Sequence, residues 1–121
     1  MKIKRIKYMK PLSTIEDIED DTIDIFVTLE DEMTYTLTMT TPKQLIQDMD
    51  NENINYVHIF APDIIVRSLT EENIREAVET FAKDDAYWLK FYYLVGETRG
   101  VFSIENLNKS VETIRKERCT R

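Results

Sequence analysis

Apolar and polar residues alternate strictly in the first third of the chain. Every second residue from Ile23 to Leu29 is apolar, and the following stretch "MTYTLTMT" alternates apolar residues with four threonines. A period of two is typical of a β-strand with one face on the core and the other in water. Because the polar link at Glu30–Glu32 is short, we predict that the two strands form an antiparallel hairpin.

Further strands are predicted where apolar residues are frequent but the period is less clear. "KIKRIKYMK" near the start favours a strand, and so do Tyr56–Phe60 and Ile64–Leu69 on either side of Pro62. The stretch "AYWLKFYYLV" is rich in aromatic residues, which favour strands. As a strand it would place alternate residues from Tyr87 to Val95 on one face, and "VFSI" could pair back against it.

Three segments are predicted to be helices, at about residues 42–49, 70–83 and 105–117. The first begins with Thr41 as a possible N-cap and Pro42 at the first helical position. The second follows Thr70, a good N-cap, and its apolar residues from Ile74 to Ala82 recur at the spacing of a core-facing stripe. The third is amphipathic as well and is predicted to bury Leu107, Val111 and Ile114.

These elements predict a single α+β domain over residues 1–121, because no linker or internal repeat interrupts the chain. We expect a mainly antiparallel sheet of five to six strands with about three helices packed on one face. The threonines of "MTYTLTMT" would then be open to water or to a partner.

Charge is distributed unevenly within a formal net charge of −7. Residues 1–10 carry five basic side chains and no acidic one, whereas residues 11–52 carry twelve acidic side chains and one basic. Nucleic-acid binding is unlikely with this distribution, because it needs one continuous positive face. Cys119 is the only cysteine, so the fold needs no internal disulfide, and we expect a cytoplasmic protein. Neither a signal peptide nor a membrane span is predicted.

Nine carboxylates lie between Ser13 and Glu32 without a lysine or arginine among them. The spacing of Asp17, Glu19 and Asp21 matches the first ligands of a calcium loop, but Thr22 stands where that loop needs glycine. No metal site is therefore predicted. The acids form two clusters about 25 Å apart at the ends of one strand. They are either solvated loops or a docking surface for a basic protein, with Asp17, Glu19, Asp20, Asp21, Asp24, Glu30, Asp31 and Glu32 as its candidate residues.

Other candidate residues are aromatic or titratable. Trp88 and Tyr92 could be exposed anchors of an interface, since aromatic side chains contribute much of the energy of protein contacts. His58 is the only histidine, so neither a histidine cluster for a metal nor a recognisable triad can be built. No catalytic residue and no cofactor are predicted.

Residues 62–94, "PDIIVRSLTEENIREAVETFAKDDAYWLKFYYL", resemble a module of small uncharacterised bacterial proteins. The small acidic α+β chain without an active-site motif is also similar in style to bacterial immunity proteins, which neutralise toxic nucleases. The resemblance implies a non-enzymatic inhibitor of a basic protein, and it transfers no residue.

Three functions remain open from the sequence. The first is a non-enzymatic protein-binding module, of the immunity type, that presents its acidic residues to a basic partner. The second is a small-molecule-binding or enzymatic domain with a pocket between sheet and helices near His58. The third is a structural module that forms homodimers through the threonine face or an edge strand.

Overall fold

A computed structural model of the protein describes residues 1–57, 62–97 and 102–119. Within these residues the strands are β1 (Ile3–Tyr8), β2 (Thr22–Leu29), β3 (Thr34–Thr40) and β4 (Asp63–Ile65). The helices are α1 (Pro42–Glu52), α2 (Glu71–Phe81), α3 (Lys83–Glu97) and α4 (Ile104–Cys119). The class is α+β, but the predicted five to six strands and about three helices are wrong, since the described residues form four of each.

The strands form one mixed sheet in the order β1-β2-β3-β4. β2 and β3 make the predicted antiparallel hairpin, in a register that pairs Ile25 with Leu37. β1 pairs antiparallel with the other side of β2. β4 runs parallel to β3 and pairs Ile64 with Met39, so α1 lies in the crossover that parallel neighbours need.

The core lies on the apolar face of the hairpin. Its buried side chains from β2 and β3 are Ile23, Ile25, Val27, Leu29, Tyr35, Leu37 and Met39. Met33 shares this alternation, but it precedes β3 in the turn and is 41% exposed. α2 contributes Ile74 and Val78, both fully buried. Thr70 caps this helix as predicted, since its hydroxyl accepts the backbone N–H of Asn73 at 3.1 Å.

The aromatic stretch at residues 86–95 is part of α3, so the predicted strand is wrong. α3 opens with a left-handed bend in which Asp84, Asp85 and Ala86 have φ angles of 54°, 59° and 59°. The bend leads into a right-handed helix that buries Leu89 fully, together with Ala86. An almost continuous apolar run fits a period of 3.6 as well as a period of two, so tertiary contacts decide its structure.

Other predicted strands are shorter or absent. The described residues of Tyr56–Phe60 form no strand, and the other three lie outside the described part of the chain. Only the beginning of Ile64–Leu69 belongs to β4. Ile104, the last residue of "VFSI", begins α4, while Val101 is outside the described residues.

The helices do not all pack on one face, contrary to prediction. α2 and α3 contact each other, and α3 also contacts β3. α1 instead borders the threonine side of the sheet, where Leu45 lines a groove with Thr38 and Thr40. No residue of α4 is buried. Several apolar side chains of α3 and all four of the large apolar side chains of α4 therefore stay exposed.

Candidate interaction surface

The first acidic cluster, Glu16–Asp21, lies in the loop between β1 and β2. Two of its carboxylates face lysines, in the ion pairs Asp21–Lys10 and Glu19–Lys43, each 3.5 Å long. Lys10 belongs to the basic N-terminal segment, which therefore folds against this cluster. The pairs reduce the negative charge that the loop can offer to another protein.

The other acids of this region also have contacts within the chain. The carboxylate of Asp17 accepts the backbone N–H of Glu19 at 3.0 Å, and Gln47 donates a hydrogen bond to Asp20. Asp24 lies within β2 and accepts the hydroxyl of Thr38 at 2.7 Å on the threonine face. Asp24 is therefore separated from the loop acids by its place on the sheet.

The second acidic cluster, Glu30–Glu32, forms the turn between β2 and β3. Lys4 pairs with Glu32, and the hydrogen bond from its ammonium group holds the pKa of Glu32 below its usual range. Glu30 accepts a hydrogen bond from the backbone just before β1 at 3.2 Å, and Asp31 accepts one from the turn backbone at 3.1 Å. The basic N-terminal segment, through Lys4 and Lys10, thus offsets part of the charge of both clusters.

The outward side of α3 carries four apolar residues, which we call the α3 aromatic face. Their exposed fractions are 56% for Tyr87, 48% for Trp88, 36% for Phe91 and 43% for Leu94. Trp88 makes edge contacts with Tyr87 at 5.2 Å and with Phe91 at 5.8 Å between ring centroids. The three rings therefore support one another in a single arrangement.

Tyr92, the other aromatic candidate, has a different environment from Trp88. It packs partly against the core, and its ring meets Phe81 edge-on at 5.2 Å. Burial is the main cause that raises the pKa of its hydroxyl, and the nearby carboxylate of Asp63 adds to the shift. The structure thus places Tyr92 between the core and the surface, while Trp88 lies on the α3 aromatic face.

A pocket of about 290 Å³ lies between β3 and α3. Tyr35, Leu89, Tyr92 and Tyr93 are among its lining residues. Burial raises the pKa of the Tyr35 hydroxyl, as it does for Tyr92. Both hydroxyls are therefore protonated at neutral pH, where they can donate hydrogen bonds but cannot act as bases.

A second groove, of about 400 Å³, lies on the threonine side of the sheet beside α1. Its carboxylates include Asp48, Glu52 and Asp63. Burial raises the pKa of Asp63, and the charge of Asp24 raises it further. Because several carboxylates lie close together here, the groove is negatively charged.

Helix α4 carries a row of exposed aliphatic side chains, which we call the α4 stripe. Its members and their exposed fractions are Ile104 (69%), Leu107 (45%), Val111 (54%) and Ile114 (50%). Just before the helix, the ring of Phe102 meets that of Phe91 at 5.6 Å between centroids. This contact links the start of α4 to the α3 aromatic face.

Some sites cannot be placed in this way. His58 lies outside the described residues, so the pocket proposed near it is untested. Among residues 1–57, 62–97 and 102–119, no group of three or more histidine, cysteine, aspartate or glutamate residues could hold a metal ion. No described helix is both long enough and apolar enough to cross a membrane.

Comparison of the chain with known protein families, with curated proteins and with solved structures finds no match. The resemblance to bacterial immunity proteins therefore stays a prediction.

The sequence predicts Trp88 as an exposed anchor, but it predicts neither the whole α3 aromatic face nor the exposure of the α4 stripe. The predicted strand places Tyr87 and Phe91 on one face, and the predicted third helix buries Leu107, Val111 and Ile114. A signal was present in the third helix, because its apolar residues are confined to a narrow stripe, whereas a helix packed on a sheet carries a broader one. The aromatic stretch offered no comparable signal.

Proposed function

We propose that this chain is a non-enzymatic protein-binding module that contacts its partner through the α3 aromatic face. The observation that carries the proposal is the exposure of Tyr87, Trp88, Phe91 and Leu94 on one side of one helix. Taking about 200 Å² for each aromatic side chain, the three rings alone expose about 300 Å². Contiguous apolar patches of this size on a single chain are often functional.

The composition of the patch supports protein binding. Tyrosine, tryptophan and phenylalanine are enriched at protein interfaces, and tryptophan and tyrosine are frequent among residues that dominate binding energy. The mutual contacts of Tyr87, Trp88 and Phe91 also reduce the freedom that these side chains would lose on binding. Little of the binding energy would then be spent on ordering them.

Charge defines the chemistry of the partner. Asp84 and Asp85 border the α3 aromatic face, and the net charge of the whole chain is −7. Lys90 is the nearby cation, but it is engaged with Asp85 at 3.0 Å. A partner with an apolar anchor beside arginine or lysine fits this surface, because a cation can stack on an aromatic ring and pair with Asp84.

The acidic clusters take a secondary role in this proposal. Because Glu19, Asp21 and Glu32 already face lysines of the same chain, they are poor candidates for direct contact. Their remaining field would attract a basic partner and accelerate association. The proposal therefore keeps the predicted basic partner but moves the contact surface to α3.

Affinity capture from the native cell tests the proposal with matched variants. Wild type and Tyr56→Ala, an exposed aromatic outside α3, should retain the same captured protein, whereas Trp88→Ala and Phe91→Ala should lose it. With the purified partner, Trp88→Ala should weaken binding about 30-fold, which corresponds to about 2 kcal/mol.

The acidic residues are tested separately with Asp20→Asn combined with Asp31→Asn. This double variant should slow association and flatten its salt dependence, with little change in dissociation. Capture that survives Trp88→Ala, or a wild-type protein that captures nothing, would contradict the proposal.

A further inference from the structure

Helix α4 has no buried face, although its length is 16 residues. Ser103 caps it by accepting the backbone N–H of Asn106 at 3.2 Å, and Glu112 pairs with Arg115 at 3.1 Å. Local contacts of this kind stabilise an isolated helix only weakly. Isolated helices near or below about 12–15 residues are marginal in water even when they are rich in alanine, and most helical stability in proteins comes from the packing of an apolar face. A surface that covers α4 is therefore expected.

The α4 stripe has the spacing of a coiled-coil seam. Ile104, Leu107, Val111 and Ile114 follow one another at intervals of three, four and three residues, which are the a and d positions of two heptads. A stripe restricted to these positions is typical of helix pairs, whereas a helix that packs on a sheet has a broader apolar face. α2 is of the broader kind. The chemistry of the α4 stripe thus fits another helix with the same stripe.

We propose that α4 pairs antiparallel with α4 of a second copy of this chain. In this pairing Ile104 of one copy faces Ile114 of the other, and Leu107 faces Val111. The two-fold axis repeats both contacts, so four apolar layers form and Arg118 lies beyond the last one. A parallel pair would instead bring the two Arg118 side chains together in the next layer of the seam.

Charge favours the antiparallel orientation for two further reasons. The basic last turn of one helix, with Lys116 and Arg118, lies beside the helix start of the other copy, which carries Glu105. The body of the chain is attached at the N-terminal end of α4, so antiparallel helices hold the two bodies at opposite ends. Each copy carries a net charge of −7, and this separation reduces their repulsion.

The size of the seam limits its strength. Four aliphatic side chains from each copy bury less than the roughly 1,200–2,000 Å² of a standard protein interface. We therefore expect a reversible dimer with a dissociation constant on the order of 10 µM. The pairing goes beyond the proposed function and does not depend on it, because it leaves the α3 aromatic face out of the seam.

Sedimentation of the full chain between about 1 µM and about 500 µM tests the pairing. Wild type should pass from monomer to dimer, and Val111→Glu should weaken dimerisation more than 10-fold by placing a charge in the seam. Thr113→Glu is the matched control, because it also replaces a β-branched residue of α4 by glutamate but lies outside the stripe. This variant should dimerise as wild type does. Thermal unfolding of each variant checks that the body stays folded.

Orientation is tested by charge rescue between two variants. Leu107→Glu and Val111→Lys should each be monomeric alone, and their mixture should form a heterodimer, because residues 107 and 111 face each other only in the antiparallel pair. Spin labels on Cys119 should also lie about 30 Å apart along the helix axis, from 20 residues at 1.5 Å each. In a parallel pair the two labels would be side by side.

Several results would overturn the proposal. They are a wild-type chain that stays monomeric at the highest concentration, a dimer unaffected by Val111→Glu, and labels on Cys119 that lie side by side. A dimer lost with Trp88→Ala but kept with Val111→Glu would assign self-association to the α3 aromatic face instead. That outcome would also identify a second copy as the partner of the α3 aromatic face. Failure of the α4 pairing can therefore be distinguished from failure of the proposed function.

Discussion

The β2–β3 hairpin and the α3–α4 segment are both rich in apolar residues, but they differ in how far these residues are buried. In the hairpin, side chains such as Ile25 and Leu37 are fully buried by the chain's own α2 and α3. In α3 and α4, Trp88 and Leu107 remain about half exposed. The apolar side chains of the hairpin are covered by the chain itself, whereas many of those on the C-terminal helices remain exposed.

The polar residues show the same contrast. On the hairpin, Thr28 bonds Thr34 at 2.9 Å and Thr22 bonds Thr40 at 2.8 Å between hydroxyl oxygens. Cross-strand pairs of this kind stabilise the sheet from its outer side. The hairpin has one left-handed residue, Glu32 in its turn, whereas α3 begins with three in succession, a conformation that L-amino acids adopt at a cost. One region is stabilised on both of its faces, and the other begins with strain and ends with exposed apolar surface.

The largest expected effect separates two leucines. Leu37→Ala removes a fully buried side chain from the hairpin core and should lower the free energy of unfolding by about 2–5 kcal/mol. Leu94→Ala is the matched change on the α3 aromatic face, where the side chain is 43% exposed, and it should cost less than about 1 kcal/mol. Urea unfolding followed by circular dichroism measures both. Equal losses would show that Leu94 belongs to the core and would break the comparison.

This contrast also explains which parts of the fold the sequence predicts. Strict alternation specifies β2 and β3, because shifting a strand by one residue would expose every apolar side chain. α2 is predicted from its cap at Thr70 and its broad apolar stripe. Both elements find their packing partners in the same chain, so local pattern and tertiary structure agree.

The C-terminal half is predicted less well for a physical reason. The stretch from Tyr87 to Val95 is apolar or aromatic at every position except Lys90, so its pattern does not distinguish a strand from a helix. The stripe of α4 predicts a helix with a packed side, but the pattern does not reveal that the described part of the chain leaves this side exposed. For the same reason most of the candidate residues predicted from the sequence are acids of the β2 loops, where charge density is visible, and only Trp88 and Tyr92 come from α3.

The left-handed bend before α3 provides a second, smaller test of the comparison. Asp84→Gly removes the steric cost of a side chain at φ 54° and should raise the free energy of unfolding by about 0.5–1 kcal/mol. Glu76→Gly in α2 should lower it by about 0.5–1 kcal/mol, because glycine weakens a regular helix. Thermal unfolding of the two variants gives the signs. If Asp84→Gly is destabilising, the bend is not a strained element of the C-terminal half.

The smallest expected effect concerns the sheet. It tests whether the charge of Asp63 in β4 destabilises the folded chain. Burial and the charge of Asp24 raise the pKa of Asp63 in the folded chain. The folded chain therefore holds this proton more tightly than the unfolded chain, and the ionised carboxylate lowers stability once the pH exceeds the folded pKa. Asp63→Asn should raise the unfolding temperature slightly at pH 7.

The same variant should lose this advantage below the unfolded pKa of about 3.9. Asp63 is then protonated in both the folded and the unfolded wild-type chain, so no buried carboxylate charge is left for the substitution to remove. Asp50→Asn, on the exposed side of α1, controls for the change in net charge. The quantity to compare is the difference in unfolding temperature between variant and wild type at pH 7 and near pH 3. A difference that is the same at both values would mean that Asp63 carries no desolvation cost. Asp63 would then not destabilise the sheet, and the contrast between the sheet and the C-terminal helices would be larger.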